Sequence, residues 1–497
     1  MQKGEKVSMK YKLSCIIIAV LLLFSCNGCA DKKEELLAEI EKINIRHAYE
    51  TKLVPDINIR DYTSSRHPSQ LGFSKDELDS LTGYDTVGAD SNPIEYDKAA
   101  MDIELMFKVL KNCYGAYDYF GGDEAFKEAK KQVMGDCEAY GDNLKVGLLK
   151  ESLINNLGFI KDGHFSIDGS VTFKKAKYYS NDEIDYLKDE KGYFMIKEGK
   201  KKYVQLVDGD GEIDKYMKRS IDDEGALIYR LGVLSFDEPE FLEVNFDDES
   251  VKFSLSLPET FRANVNFTSE NIDDIPVVAI RSFLDKEASE QFVDTAQMLK
   301  DSPVAILDLR ANGGGNSIYL QKWLDTYASE LSEYYLGNTW AALYIRASQY
   351  LNSYRYKANL PEKDEMLAEI YSNLYKSSRN QWEIHELPVI EQVENDNILF
   401  VLFDGNTFSM GEIMAAVLRK IENVIFIGSN TNGGLLGDNH VKIVLPNSKI
   451  NIACSCGIRF FYDETVASDE KGFEPDIWVS GDSFESVLNM ISYYNLK

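Results

Sequence analysis

Two loops of this sequence combine residue types that could stabilise a developing negative charge. In the first, the apolar run 304–309 leads through Arg310 and Asn312 into three consecutive glycines at 313–315. Glycine permits positive φ angles and lets a ligand approach backbone N–H groups closely. The loop lacks the G-x-G-x-x-G pattern, and no Lys-Ser/Thr pair follows the glycines, which argues against a nucleotide phosphate site. A backbone oxyanion hole and a tight strand-to-helix turn are both compatible with these residues.

The second loop places Ser409 at the start of a predicted helix. An apolar strand is predicted at 398–403, and the residues after Ser409 repeat apolar side chains at helical spacing as far as Ile421. The unpaired N–H groups and the macrodipole at a helix start favour negative charge. Serine is nevertheless a common N-cap residue, so spacing alone leaves a cap and a nucleophile as alternatives.

A serine nucleophile needs a base, and histidine has an unperturbed pKa of about 6.5, which suits that role at neutral pH. His164 lies in a glycine-containing turn between Asp162 and Ser166. Composition and spacing do not distinguish it from the other histidines, and a single histidine is more often structural or solvent-facing than catalytic. The chain has five histidines: His47, His67, His164, His385 and His440.

Four segments together resemble the C-terminal processing, or tail-specific, serine peptidases. They are Asp-Gly-His at 162–164, the segment 308–315 that ends in the glycines, Thr-Phe-Ser-Met-Gly-Glu at 407–412 and Gly-Phe-Glu-Pro-Asp at 472–476. Each is weak by itself, but the four occur in the order of the family. The resemblance implies an α/β fold: a Clp-protease/crotonase-like core with an N-terminal helical cap and a degenerate PDZ-like β-rich module.

The resemblance also implies roles for particular residues. Ser409 would be the acyl-accepting nucleophile. The backbone N–H groups of Met410 and of Gly314 would form the oxyanion hole.

The family divides over the base that activates the serine. The processing-protease branch uses a lysine in a Thr-x-Gly-Lys-like segment, which here reads Thr-Asn-Gly-Gly at 431–434, so Gly434 occupies the lysine position. The tricorn-like branch uses the histidine of the Asp-Gly-His segment, which is present as His164. An acid before the closing signature would support the imidazole. Asp469 has that position with Glu470 adjacent, whereas the family usually has glutamate there.

The pattern of apolar, polar and glycine residues divides the chain into five parts. Strand–helix alternation with continuous apolar strands in the last part favours parallel pairing covered by helices. The parts are a leader at 1–25, a tether and lead-in at 26–93 with a short helix near 34–43, a helical cap at 94–160, the His164 loop with the β-rich module at 161–265, and the α/β core at 266–497 with a helical insertion at 340–390.

The first residues have the pattern of an export signal. Four lysines precede the apolar run 16–24, which is too short to span a bilayer. Leu-Phe-Ser-Cys at 23–26 resembles a bacterial lipoprotein cleavage site, with Cys26 as the lipidated residue and Cys29 as the second candidate. Plain secretion is the alternative. A lipid-anchored location in the cell envelope, outside the cytoplasm, is therefore predicted.

Composition restricts the partners. The chain has 497 residues, with 82 Asp and Glu against 54 Lys and Arg and a formal net charge of -28. Such a surface repels phosphate backbones, so nucleic acid is not an expected partner. No zinc spacing occurs, and the acidic stretch 208–212 lacks the closing glutamate of a calcium loop, so neither a metal site nor a cofactor is predicted.

These observations favour a lipid-anchored, extracytoplasmic serine peptidase that acts on peptides or unfolded protein tails. The main alternative is a lipoprotein that binds a ligand or peptide on the same scaffold without cleaving it. An esterase is a weaker alternative, because Ser409 is framed by Thr407 and Gly411 rather than by the G-x-S-x-G elbow.

Overall fold

The computed structural model describes most of the chain beyond the leader. The leader 1–25, the lipidation candidate Cys26 and His67 lie outside the described residues. The described residues are 32–50, 56–63, 73–81, 90–334, 339–345, 347–348, 351–352, 382–387, 391–461 and 467–496.

The N-terminal segment packs on the folded body. Helix α1 (Lys32–Glu50) buries Leu36, Ile40 and Ile43 in the same apolar cluster as the strands of the α/β core. The prediction of residues 26–93 as a tether is therefore wrong for 32–50, because one face of this otherwise charged helix is apolar and is covered by the core. A short helix α2 (Lys75–Ser80) follows, with a capping box between Ser74 and Glu77.

Three helices form the predicted cap. They are α3 (Tyr96–Cys113), α4 (Gly122–Tyr140) and α5 (Val146–Asn156). Their apolar faces, which include Ile103, Met106 and Leu149, share one buried cluster with Ile452 and Cys454 of a sheet described below. Most of 94–160 is therefore helical, and these helices pack directly on the α/β region.

Residues 161–265 contain the His164 loop and a β-rich unit. The short strand β1 (Ser166–Ile167) follows the loop. A seven-stranded antiparallel sheet comes next, with its own small core around Tyr186, Leu231 and Val244. The relation of this unit to a PDZ module stays a prediction. Its strands are β2 (Lys177–Asp189), β3 (Gly192–Lys197), β4 (Lys200–Val207), β5 (Met217–Ile221), β6 (Leu227–Ser235), β7 (Leu242–Phe246) and β8 (Ser250–Phe253), in the order β5-β6-β2-β3-β4-β7-β8.

From residue 266 onward strands and helices alternate as predicted. The strands are β9 (Phe267–Ile272), β10 (Ile275–Ile280), β11 (Val304–Asp308), β12 (Thr339–Ile345), β13 (Trp382–Glu386), β14 (Ile398–Phe403), β15 (Val424–Gly428), β16 (Gly437–Val444), β17 (Asn451–Phe461), β18 (Ala467–Ser468), β19 (Gly472–Phe473) and β20 (Ile477–Trp478). The helices are α6 (Lys286–Val293), α7 (Ala296–Asp301), α8 (Ile318–Tyr327), α9 (Met410–Leu418) and α10 (Ser483–Tyr493).

Six of these strands form the central sheet, in the order β20-β15-β14-β11-β10-β9. Pairing is parallel from β20 to β10, and only β9 is antiparallel to its neighbour. Strands β10, β11, β14 and β15 are buried along their whole length, as expected for a parallel sheet covered on both faces. The α/β fold class is confirmed.

A second sheet has the order β1-β17-β12-β13, with β16 also paired to β17. The helical prediction for 340–390 is wrong at both described ends, because β12 pairs antiparallel with β17 and with β13. The apolar run at 340–345 suits a buried strand or a buried helix equally, and only its partners decide between them. Residues 353–381 of the insertion lie outside the described residues.

Candidate active site

Ser409 lies where the central sheet passes into helix α9. Strands β11 and β14 are parallel neighbours, so the loops after them, which carry the glycines and Ser409, leave the sheet at the same edge. Ser409 has φ 54° and ψ -115°, a conformation that non-glycine residues rarely adopt. Such strain at a sharp strand-to-helix turn is typical of nucleophilic serines.

His164 reaches Ser409 across 245 positions of sequence. Its Nε2 lies 3.0 Å from Ser409 Oγ, within hydrogen-bond distance. Gly163 makes this approach possible, because a Cβ at that position would lie only 2.1 Å from the carbonyl oxygen of Gly433. The ring of Phe408 packs against the imidazole with centroids 4.8 Å apart. The structure therefore brings together the two side chains that the sequence segments pointed to.

Asp469 is buried but binds backbone groups. Its Oδ2 accepts the Gly163 N–H at 2.7 Å, and its Oδ1 accepts the N–H groups of Leu435 and Leu436 at 2.8 and 3.0 Å. Burial raises the pKa of Asp469, and the three N–H donors partly offset that effect. These hydrogen bonds thus hold the turn that carries His164.

Glu470 does not join this group. Its carboxylate pairs with Lys161 at 3.4 Å, and both side chains are partly exposed. Its inclusion beside Asp469 as a candidate support for the imidazole is therefore corrected. Both acids lie in the turn between β18 and β19, where the Asp469 side chain is buried and the Glu470 side chain faces Lys161 at the surface.

Two further carboxylates at the site were not among the predicted residues. Asp162 accepts the His164 backbone N–H at 2.9 Å, and burial raises its pKa to about 6. Glu412 accepts the N–H groups of Ser409 and Gly433, both at 2.9 Å, and burial raises its pKa to about 7. Both residues are in the recognised segments. The position of Glu412 three residues after Ser409 is that of a capping box and could have identified it.

Gly314 and Met410 lie beside Ser409, as the resemblance implied. A Cβ on Gly314, whose φ is +94°, would lie 2.8 Å from Ser409 Cβ and 3.0 Å from the Met410 nitrogen. The Met410 N–H is in the first helical turn, where no carbonyl of the helix can accept it. The Gly314 N–H, however, donates to Asn312 Oδ1 at 2.9 Å. In this structure only one of the two expected oxyanion donors is therefore available.

Asn312 is a fully buried residue that joins the two loops. Its Nδ2 donates to the Ile280 carbonyl at 2.9 Å, and its own carbonyl accepts the Phe408 N–H at 2.8 Å. The glycine loop is fixed further by Asp308, whose carboxylate binds the guanidinium groups of Arg281 and Arg310. Burial alone would raise the pKa of Asp308, but the two arginines lower it by more. The net pKa is below its usual value, so Asp308 is ionised.

The other histidines lie away from Ser409 or have no described side chain. His47 is buried against Asp476, with Nε2 to Oδ1 at 2.8 Å. His385 is exposed on β13. His440 is in β16, and its side chain is not among those described.

Among the described residues, no group of three or more His, Cys, Asp or Glu side chains is arranged to hold a metal ion. No helix in the described part of the chain is long and apolar enough to cross a membrane.

Comparison with known proteins places residues 274–479 in a family. They match the model of peptidase family S41. No curated protein matches the sequence significantly.

Several solved structures are similar over most of the chain. Mature CPAF complexed with lactacystin is 14% identical, with 80% of this chain and 97% of that chain covered and a TM-score of 0.39. A putative peptidase from Parabacteroides merdae ATCC 43184 is 13% identical, with 77% and 90% covered and a TM-score of 0.36. The photosystem II D1 C-terminal processing protease is 12% identical, with 78% and 93% covered and a TM-score of 0.32.

Proposed function

We propose that this chain, whose residues 274–479 match the model of peptidase family S41, is a serine peptidase with Ser409 as nucleophile and His164 as general base. The observation that carries the proposal is the 3.0 Å distance between His164 Nε2 and Ser409 Oγ. The strained backbone of Ser409 supports it, because such a conformation persists only when the surrounding structure holds it.

In the reaction, Ser409 Oγ attacks the carbonyl carbon of the scissile peptide while His164 Nε2 takes the hydroxyl proton. The carbonyl oxygen becomes an oxyanion, which the Met410 N–H can stabilise. The imidazolium then gives its proton to the leaving amine, and the C–N bond breaks to leave an acyl-enzyme on Ser409. Water, deprotonated by His164, attacks the ester carbonyl and releases the acid product and free Ser409.

The substrates are proposed to be peptides or unfolded protein tails. Leu284, whose side chain is 81% exposed, follows Phe283, and the Phe283 N–H donates to the Gly314 carbonyl at 2.8 Å. This exposed apolar residue lies next to the glycine loop, where it suits contact with an extended chain that has exposed its own apolar residues. Terminal-peptide profiling of an unfolded proteome treated with the wild type and with Ser409→Ala would define the cleavage sites. Cleavage that is equal in both samples would contradict the proposal.

One observation favours the alternative of a binding protein without turnover. The Gly314 N–H is engaged by Asn312, so the oxyanion hole is incomplete in this structure. Turnover requires that substrate binding release this N–H or that the Met410 N–H suffice.

A fluorophosphonate probe distinguishes the two functions, because only an activated serine reacts with it. We expect covalent labelling of Ser409 in the wild type, none in Ser409→Ala, and a rate at least about 100-fold lower in His164→Ala. The exposed histidine offers a matched control, since His385→Ala should label like the wild type. A wild type that stays unlabelled would favour the binding protein.

We further propose that the protein is a lipoprotein of the cell envelope, attached through Cys26. Its support is the leader sequence described above. In cells fed a clickable palmitate analogue, we expect incorporation into the wild type and the Cys29→Ala control but not into Cys26→Ala. Incorporation into Cys26→Ala would contradict the assignment.

A further inference from the structure

A lysine from outside the four recognised segments lies near the ring of Phe408, which packs on His164. Lys175, in the connection between β1 and β2, donates from Nζ to Asn432 Oδ1 at 2.8 Å and to the Gly433 carbonyl at 2.9 Å. Both acceptors belong to segment 431–434, which ends at the position where the related branch has its lysine. A positive charge therefore reaches this segment from a part of the chain 258 positions away.

The ring of Phe408 occupies the space that a lysine side chain at position 434 would need. A Cβ on Gly434 would lie 2.1 Å from Phe408 Cε2, so no side chain fits there while the ring keeps its place. Lys175 Nζ lies 5.3 Å from the centroid of this ring, and the His164 imidazole packs on it at 4.8 Å. Phe408 thus contacts both the imidazole and the ammonium group.

Lys175 is a cation near three buried carboxyl groups, which are those of Asp162, Glu412 and Asp469. Burial lowers the pKa of Lys175, while the negative charges of these three groups raise it. Burial acts on the carboxyl groups in the opposite sense and raises the pKa of each. Other polar or charged side chains around Lys175 and the carboxyl groups include His164, Tyr114, Lys161, Glu470, Thr431 and Ser455, and the hydroxyls of the last two donate to Glu412 and Asp162.

We propose that Lys175 is a positioning residue of the peptidase site: it anchors segment 431–434 against the His164 turn and supplies the positive charge that balances the buried carboxyl groups. The inference deepens the proposed function and rests on it. With Lys175 removed, the surplus negative charge would favour the protonated imidazole, which cannot accept the proton of Ser409. The reactive form of the site would then appear only at higher pH.

The test is the rate of fluorophosphonate labelling of Ser409 between pH 5 and 9. In Lys175→Met we expect labelling at pH 7 to be about tenfold slower and the midpoint of the acid limb to move up by about 0.5–1 pH unit. Lys175→Arg keeps the charge and should keep the midpoint. Lys174→Met is the matched control, because the adjacent Lys174 is exposed and pairs with Asp237, and it should label like the wild type.

The outcomes separate this inference from the proposed function. A wild type without labelling would contradict the peptidase itself. A labelled wild type with an unchanged rate and midpoint in Lys175→Met would contradict only the role of Lys175. If Lys175→Met does not fold, Asn432→Ala removes one of the two acceptors. Slower labelling in Asn432→Ala would support the role, and wild-type labelling would contradict it.

Discussion

Two regions of this molecule bury carboxyl groups among charged side chains, and they do so in different ways. The N-terminal ion cluster contains Arg46, His47, Glu50, Arg419 and Asp476. Burial alone would raise the pKa of Asp476, but its contacts with His47, Arg46 and Arg419 hold that pKa far below its usual range. Each buried anion has cations next to it, which is the arrangement of a structural ion network.

The active-site carboxyl cluster has the reverse balance. Asp162, Glu412 and Asp469 lie near one lysine, and burial raises the pKa of Asp162 to about 6 and that of Glu412 to about 7. Carboxyl groups with pKa values near neutrality are typical of reactive sites. Both regions bury carboxyl groups. They differ in the number of cations beside those groups, and this number determines whether the carboxyl pKa is lowered or raised.

The largest effect on stability is expected when Asp476, the central anion of the N-terminal ion cluster, is replaced. Asp476→Asn leaves Arg46 and Arg419 without their shared carboxylate, and we expect the free energy of unfolding to fall by about 3–5 kcal/mol. Denaturant unfolding measures this change, with the exposed Asp301→Asn as control. A loss below about 1 kcal/mol would show that Asp476 is not the centre of a structural network.

The next largest effect is expected in the pH dependence of stability, to which His47 contributes. Burial lowers the pKa of His47 to about 4, whereas in the unfolded chain it is about 6.5. The unfolded state therefore binds more protons between these values, so this contribution to stability is present above pH 6.5 and is lost as pH falls toward 4. We expect His47→Gln to remove about 2–3 kcal/mol of this dependence, measured as unfolding free energy against pH. The exposed His385→Gln should leave the slope unchanged, and an unchanged slope in His47→Gln would contradict the assignment.

A matched substitution at the active site should affect reactivity more than stability. Asp162→Asn keeps an oxygen acceptor and removes a charge whose burial is unfavourable above pH 6. We expect the free energy of unfolding to change by less than about 1.5 kcal/mol, while fluorophosphonate labelling slows about tenfold. A stability loss as large as that of Asp476→Asn, with unchanged labelling, would remove the distinction between the two clusters.

The smallest effect is expected at Glu470. Its pair with Lys161 is partly exposed, so Glu470→Gln should change stability by less than about 0.5 kcal/mol and leave labelling unaffected. Asp469→Asn, one residue earlier, should slow labelling because Asp469 holds the His164 turn. Equal effects at the two positions would restore Glu470 as a candidate support for the imidazole.

The sequence identified those parts of the fold and site that depend on local pattern. The buried strands β11 and β14, the helix after Ser409 and the glycine loop each follow from an apolar run and a break in it. The segment around His164 was recognised through its resemblance to a family, and its approach to Ser409 follows from how the loops pack.

The missed features depend on contacts between distant segments. Lys175 has no motif around it, and its place is set by acceptors 257 and 258 positions away. The segment of helix α1 was interpreted as a tether because nine of its 19 residues are charged, and only its packing on the core shows which face is covered. Strand β12 needed its partners β13 and β17 to distinguish it from a helix.

The packing of helix α1 on the core limits the distance between the core and a membrane in which a lipid on Cys26 would be inserted. If Cys26 carries lipid, six peptide steps separate it from Lys32, which is at most about 22 Å of extended chain. Helix α1 is fixed to the core, because Arg46 and His47 bind Asp476. Residues 32–50 therefore do not add to the length of chain between Cys26 and the core. With that anchor, the folded core would be held close to the bilayer surface.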